Sequence, residues 1–164
     1  MLRRPLDRFD PGQLRILGPL KVGDRFDECD VFLTKDAVTE RMKVITEQLE
    51  WYTKPSPWGG SIATPAMMVQ LLHAKSIATL RGKLGAAVGL FGAIELRNIN
   101  GPALVEHPYR VSGSIVALGQ SPKTEYMWFE TALNEADSKR VAEMRMLLRF
   151  MKASSPKNQD ASAT

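Results

Sequence analysis

Apolar and polar positions alternate with period two through most of the C-terminal half of the chain. Ala142, Met144, Met146, Leu148 and Phe150 interleave with Val141, Glu143, Arg145, Leu147 and Arg149, which predicts a strand with one strongly apolar face. Similar runs predict strands over roughly 90–98, 105–118 and 124–136, divided by the turn sequences "INGP", "GQSPK" and "ADSK". Together they predict an antiparallel meander. Upstream, residues 25–33 read as a short strand, and Thr34 caps a helix running to about Glu50. Ala37, Val38, Met42, Ile45 and Leu49 give that helix one apolar face. A second helix starts after Thr64, a good N-cap, with Pro65 at its first position, and is expected to end near Gly82. Ala66, Met67, Met68, Val69, Leu71, Leu72, Ala74, Ile77, Ala78 and Leu80 leave it hardly any polar stripe, so it is predicted to be buried nearly all round. An antiparallel sheet wrapped around this long helix satisfies the pattern, with a second copy covering the remainder and pairing the edge strands.

The two ends differ from this core. Residues 1–20, rich in Pro, Gly and Arg, read as an extended arm, and residues 152–164, "KASSPKNQDASAT", as a flexible tail. Between them, residues 21–151 form one domain, which a chain of 164 residues suits. Apolar residues at 44% and charged residues at 24% are those of an ordinary globular protein. Cys29 is the single cysteine and the histidines are only His73 and His107, so no internal disulfide or Cys/His zinc site is expected. The longest apolar run, residues 86–94, is too short to span a bilayer, and no signal peptide is apparent. A cytoplasmic protein is expected. The net charge of +4 is scattered and carries no aromatic-plus-basic nucleic-acid motif.

The order of elements, with "VGDRF", "PWGGSIATPAMM" and "YRVSGSIVALGQSPKTEYMWFETAL", resembles the hotdog fold and, within it, the MaoC-like dehydratases and R-specific enoyl-CoA hydratases. The resemblance covers about residues 20–151, and its strongest element is a glycine turn like F-G-G-P-I-A before the central helix. Trp58, Gly59, Gly60, Ser61, Ile62 and Ala63 match it. The resemblance implies an α+β homodimer that binds an acyl thioester beside the central helix and adds or removes water across a 2,3-double bond. Coenzyme A then enters as part of the substrate, and no cofactor is expected. In active relatives a D-x-N-P-x-H motif lies upstream of the glycine turn. Here "EQLEWY" places Glu47 at the Asp position and Tyr52 at the His position, while Leu49 and Glu50 replace Asn and Pro.

Glu47 is the candidate base and Tyr52 the candidate proton donor or water-positioning group. Residues five apart on a regular helix point about 140° apart, so the pair converges only if the helix ends between them. The alternative is a solvated Glu47 and a packing Tyr52. Backbone N–H groups of residues 60–63, at the start of a helix, are candidate donors to a thioester oxygen, against a turn that merely needs positive φ. Gln70 stands where the related acyl carrier protein dehydratases have a helix Glu, and can hydrogen-bond but not transfer protons. His73, three residues on, shares its face. His107, beside Pro108, reads as a strand-edge residue, and Lys54, Arg81 and Lys83 as cations able to meet nucleotide phosphates. Three readings stay open: a hydratase or dehydratase, a noncatalytic binder of an acyl thioester or other hydrophobic ligand, and an enzyme recruited to isomerisation or elimination on a nonthioester substrate.

Overall fold

The computed structural model describes residues 11–47, 49–73, 78–84 and 86–155, and among these not the side chains of residues 11, 79 and 81. One five-stranded antiparallel sheet organises the chain: β1 (Arg25–Val31), β2 (Gly89–Asn98), β3 (Tyr109–Gln120), β4 (Thr124–Asn134) and β5 (Arg140–Met151). Their spatial order is β1-β3-β4-β5-β2. Strands β3 to β5 form the expected meander, whereas β2 crosses over to pair with β5 instead of with its sequence neighbour β3. The physical reason lies in the connection after β2. Leu104 bridges Ile62, and the N–H groups of Val105 and Glu106 donate to Ser61 O and Leu33 O. A connection with its hydrogen bonds committed there cannot close a tight hairpin, and β3 begins at Tyr109 rather than near residue 105.

The alternation read from β5 holds. Ala142, Met144, Met146, Leu148 and Phe150 all enter the main core with Met127, Phe129 and Leu133 of β4. Helix α1 (Lys35–Met42) is capped by Thr34, whose Oγ1 accepts the Ala37 N–H at 3.1 Å, and buries Val38 and Met42. It stops well before Glu50. The following Val44, Ile45 and Thr46 are β-branched and lose χ1 freedom in a helix, and the chain must turn so that Trp51 O can accept the Ile62 N–H at 2.8 Å. Glu50–Tyr52 is a single 3-10 turn.

The buried helix is less enclosed than its composition suggests, and residues 74–77 within its expected span lie outside the described residues. Helix α2 is Pro65–His73, and α3 is Ala78–Leu84. Thr64 caps α2, its Oγ1 accepting the Met67 N–H at 3.3 Å. Met67, Met68, Leu71 and Leu72 face the sheet, but Ala66 and Gln70 are exposed and Val69 and His73 are half-buried. A single sheet covers one side of a helix, and the apolar remainder is left open.

The segment before β1 is part of the core. Leu14, Ile16, Leu17 and Leu20 pack into the same cluster as α2 and the inner sheet face. What holds them is Glu125, fully buried at the start of β4. Its carboxylate accepts the N–H groups of Arg15, Ile16 and Leu17 at 2.9, 3.0 and 2.8 Å. A charge this deep is tolerable only when several donors replace its hydration. Replacing Glu125 by Ala leaves three amides without their acceptor and should cost about 3 kcal/mol or more of unfolding free energy, read from denaturant titration. Hydrogen exchange at residues 15–17 should accelerate in that variant before exchange in β4 and β5 does.

Candidate functional site

The glycine turn is built from backbone. Ser56 anchors it: its Oγ donates to Gly60 O at 2.6 Å and accepts the Trp58 N–H at 3.3 Å, while its own N–H also donates to Gly60 O. Ser56 is thus a turn residue. Gly59 sits at φ +96°, where a side chain is strained, and this accounts for one of the two glycines. Gly60 is different. It does not occupy the left-handed region, and a Cβ there would meet nothing within 4 Å, so neither backbone conformation nor packing demands glycine.

The four candidate amides divide in two. Ile62 N–H donates to Trp51 O and Ala63 N–H to Ala103 O, both at 2.8 Å, so these are committed. Gly60 and Ser61 N–H groups have no acceptor among the described residues. Both belong to the turn that precedes Thr64, the cap of α2. Ile62 and Ala63 are buried, and Trp58 is exposed with its ring edge-to-face on Trp51 at 5.6 Å.

Tyr52 is half-buried against the core, one residue from the Trp51 carbonyl that ties this segment to Ile62. Glu47 is exposed on the loop after α1 and makes no hydrogen bond or ion pair among the described residues. Among the described residues no hydrogen bond joins their side chains. Gln70 and His73 part company as well. Gln70 lines an apolar groove of about 430 Å³ with Val31, Leu33, Met67, Leu71 and Pro108. His73 instead packs on Phe91 of β2 at 5.5 Å, and its ring centroid lies 6.3 Å from that of Phe129. Among the cations, Lys54 pairs with Glu50 at 3.4 Å, Lys83 is exposed, and the Arg81 side chain lies outside the described residues.

A larger cleft, about 570 Å³, lies on the outer face of the sheet and is floored by Ser112, Ser114 and Ala132. Several of its charges are paired: Arg145 with Glu130, and Arg97 and Arg140 with Glu143. The smaller groove lies beside α2, lined by Met67, Gln70 and Leu71.

One group of side chains escaped the sequence reading. His107 lies in the connection before β3, not at a strand edge, with its Nε2 2.5 Å from Glu135 Oε2 and its ring 4.7 Å from the Tyr109 ring. The Tyr109 hydroxyl accepts the Leu104 N–H at 2.8 Å. Residues 107 and 135 are 28 apart, and only the meeting of two loops at one end of the sheet joins them.

Among the described residues no helix is long and apolar enough to cross a membrane, and no group of three or more His, Cys, Asp or Glu side chains could hold a metal ion. No family model matches the sequence, and no curated protein matches it. Solved structures do. A monoamine oxidase regulatory protein from Archaeoglobus fulgius is 10% identical, covering 84% of this chain and 93% of its own, with a TM-score of 0.67. A MaoC-like dehydratase from Rhodospirillum rubrum is 18% identical over 82% of this chain and 95% of its own, TM-score 0.59. An (R)-hydratase from A. caviae involved in PHA biosynthesis is 10% identical over 79% and 96%, TM-score 0.61. The chain has the hotdog fold, the architecture it shares with MaoC-like dehydratase and R-hydratase structures.

Burial raises the Tyr109 phenol above its ordinary pKa of 10.0; the Leu104 N–H opposes the shift and the Glu135 charge adds to it. The unfolded phenol therefore ionises first as pH rises. The stabilisation is complete below about pH 10 and is lost as pH climbs through the folded value. Absorbance titration of the phenolate should show a tyrosine that ionises above the ordinary value of 10.0, and Tyr109→Phe should remove that step.

Proposed function

We propose that the protein processes acyl thioesters, as a hydratase or dehydratase acting at a 2,3-double bond. The observation that carries this is the pair of amides without an acceptor among the described residues, Gly60 and Ser61 N–H, in the turn that leads into α2 and with no side chain on Gly60 to obstruct approach. Amides so placed suit an oxygen that gains negative charge as a thioester becomes an enolate, where one such donor is worth about 2.7–4 kcal/mol. The groove beside α2 offers an apolar wall for an acyl chain and one amide side chain, Gln70, for orientation. Dehydratase and hydratase names among the structural neighbours agree with this reading.

A homodimer belongs to the same proposal. Strand β2 has β5 on one side and no described strand on the other. Its exposed apolar residues, Leu90, Phe91 and Ile94, continue from Val88, and an edge of this kind invites a second copy. Sedimentation should give twice the chain mass, and Phe91→Glu should shift the protein to monomer.

Hydration of crotonyl-CoA and longer enoyl-CoAs, followed by loss of enoyl absorbance, tests the activity. Gly60→Val should keep the fold and lose at least about 100-fold in rate. Gly59→Ala should act in the opposite sense, costing about 1 kcal/mol of stability through its positive φ with a smaller effect on rate. A bound acyl-CoA retained in native mass spectra without turnover at any chain length would replace hydration by the noncatalytic binding reading.

A further inference from the structure

We propose that Asn100 is a site of spontaneous covalent modification, at which the Gly101 amide attacks the Asn100 carboxamide, and that the conversion loosens the approach to α2. The described residues offer three asparagines for comparison, Asn98, Asn100 and Asn134. In each case the attacking group is the backbone nitrogen of the next residue, which must be free of a hydrogen bond and open to approach. The Ile99 N–H donates to Val141 O at 2.8 Å and the Glu135 N–H to Lys139 O at 2.9 Å, so both of those nitrogens are held. The Gly101 N–H has no acceptor among the described residues. Side chains sort the three in the same way. Ile99 is β-branched and Glu135 is long, whereas Gly101 has nothing to shield its nitrogen. Asn100 itself is exposed in the turn after β2.

The chemistry needs only water. The Gly101 nitrogen bonds to Asn100 Cγ and gives up its proton, and the carboxamide nitrogen leaves as ammonia, closing a cyclic imide. Water then opens the imide at either carbonyl. Opening at Cγ restores the backbone and leaves aspartate. Opening at the backbone carbonyl leaves isoaspartate, in which the chain runs through Cγ and is longer by a methylene. Water is consumed and ammonia released, with no change of oxidation state.

Asn100 is also a tie. Its Nδ2 donates to Arg140 O at 2.7 Å and its N–H to Val141 O at 3.2 Å, which fastens the turn after β2 to the start of β5. A carboxylate has no donor to offer the Arg140 carbonyl, and isoaspartate shifts the chain that follows as well. That chain reaches Ala103, whose carbonyl accepts the Ala63 N–H. Gly101 also seats the exposed Trp58 ring, since a Cβ there would stand 3.4 Å from Trp58 Cδ1. Both contacts belong to the turn and pairing that lead into α2, so loss of the tie is felt at residues 61–63.

Two measurements on the full chain decide the matter. After days in mildly alkaline buffer, fragment masses of the tryptic peptide 98–110 and of the peptide holding Asn134 should show residue 100 converted to the acid several-fold faster than residues 98 and 134. The product should also accept methyl groups from an isoaspartyl methyltransferase. An amide that persists at residue 100, or converts no faster than the other two, overturns the modification site. Hydrogen exchange at the Ile62 and Ala63 amides should be several-fold faster in the aged protein and in Asn100→Asp than in fresh protein, and should stay slow in aged Asn100→Gln, whose longer side chain closes the ring far less readily. Exchange unchanged in both the aged protein and Asn100→Asp, or equally accelerated in aged Asn100→Gln, overturns the link to α2.

Discussion

The pairing of residues 61–63 with residues 103–105 is the constraint from which the rest of the arrangement follows. Two backbone hydrogen bonds, Ala63 N–H to Ala103 O and Val105 N–H to Ser61 O, make the Ile62–Leu104 bridge and tie the approach to α2 to the connection between β2 and β3. They occupy the chain between β2 and β3, which forces β2 across to β5 and leaves it as an edge. They also commit the Ala63 amide and, with Trp51, that of Ile62, so that of these four amides only those of Gly60 and Ser61 have no acceptor among the described residues. A stiff scaffold carrying a short exposed turn is the usual way a fold presents backbone donors without exposing its core.

Buried charge is used sparingly and always in company. Glu125 replaces its lost hydration with three amides, and Arg145, almost wholly buried on the outer face, forks onto Glu130. Removing one partner of such a pair is costly because the other stays buried, so these groups specify position more than they add stability. They also separate the two faces of the sheet. The inner face is apolar from Val111 to Phe150, while the outer face mixes paired charges with a small apolar cluster of Ala117, Trp128 and Leu147.

Much of this was legible in the residues. Local patterns carried what is local: the alternating apolar set of β5, the caps Thr34 and Thr64, Pro65 at the head of α2, and the glycine turn of the hotdog resemblance. Long-range choices were not. No window of sequence says that β2 will skip β3, because the cause lies in hydrogen bonds between segments some forty residues apart. Apolar composition overstated the burial of α2, since Ala66 and Gln70 lie on a side the sheet never reaches. Glu125 reads as one polar residue in a strand, and the role of its carboxylate appears only when residues 15–17 arrive. His107 and Glu135 are separately unremarkable loop residues, and only the shared end of the sheet makes them a pair.

The Glu125 clamp also bears on the order of assembly. Its partners lie 108 to 110 residues earlier in the chain, so the loop it closes is among the longest the domain contains. Closing it gains little until β4 stands between β3 and β5, because a lone carboxylate on an unformed strand is better served by water. The segment with Leu14, Ile16, Leu17 and Leu20 is synthesised first and locks late. During translation those four side chains have no core to enter, and the nascent protein carries an exposed greasy strip until its final strands emerge.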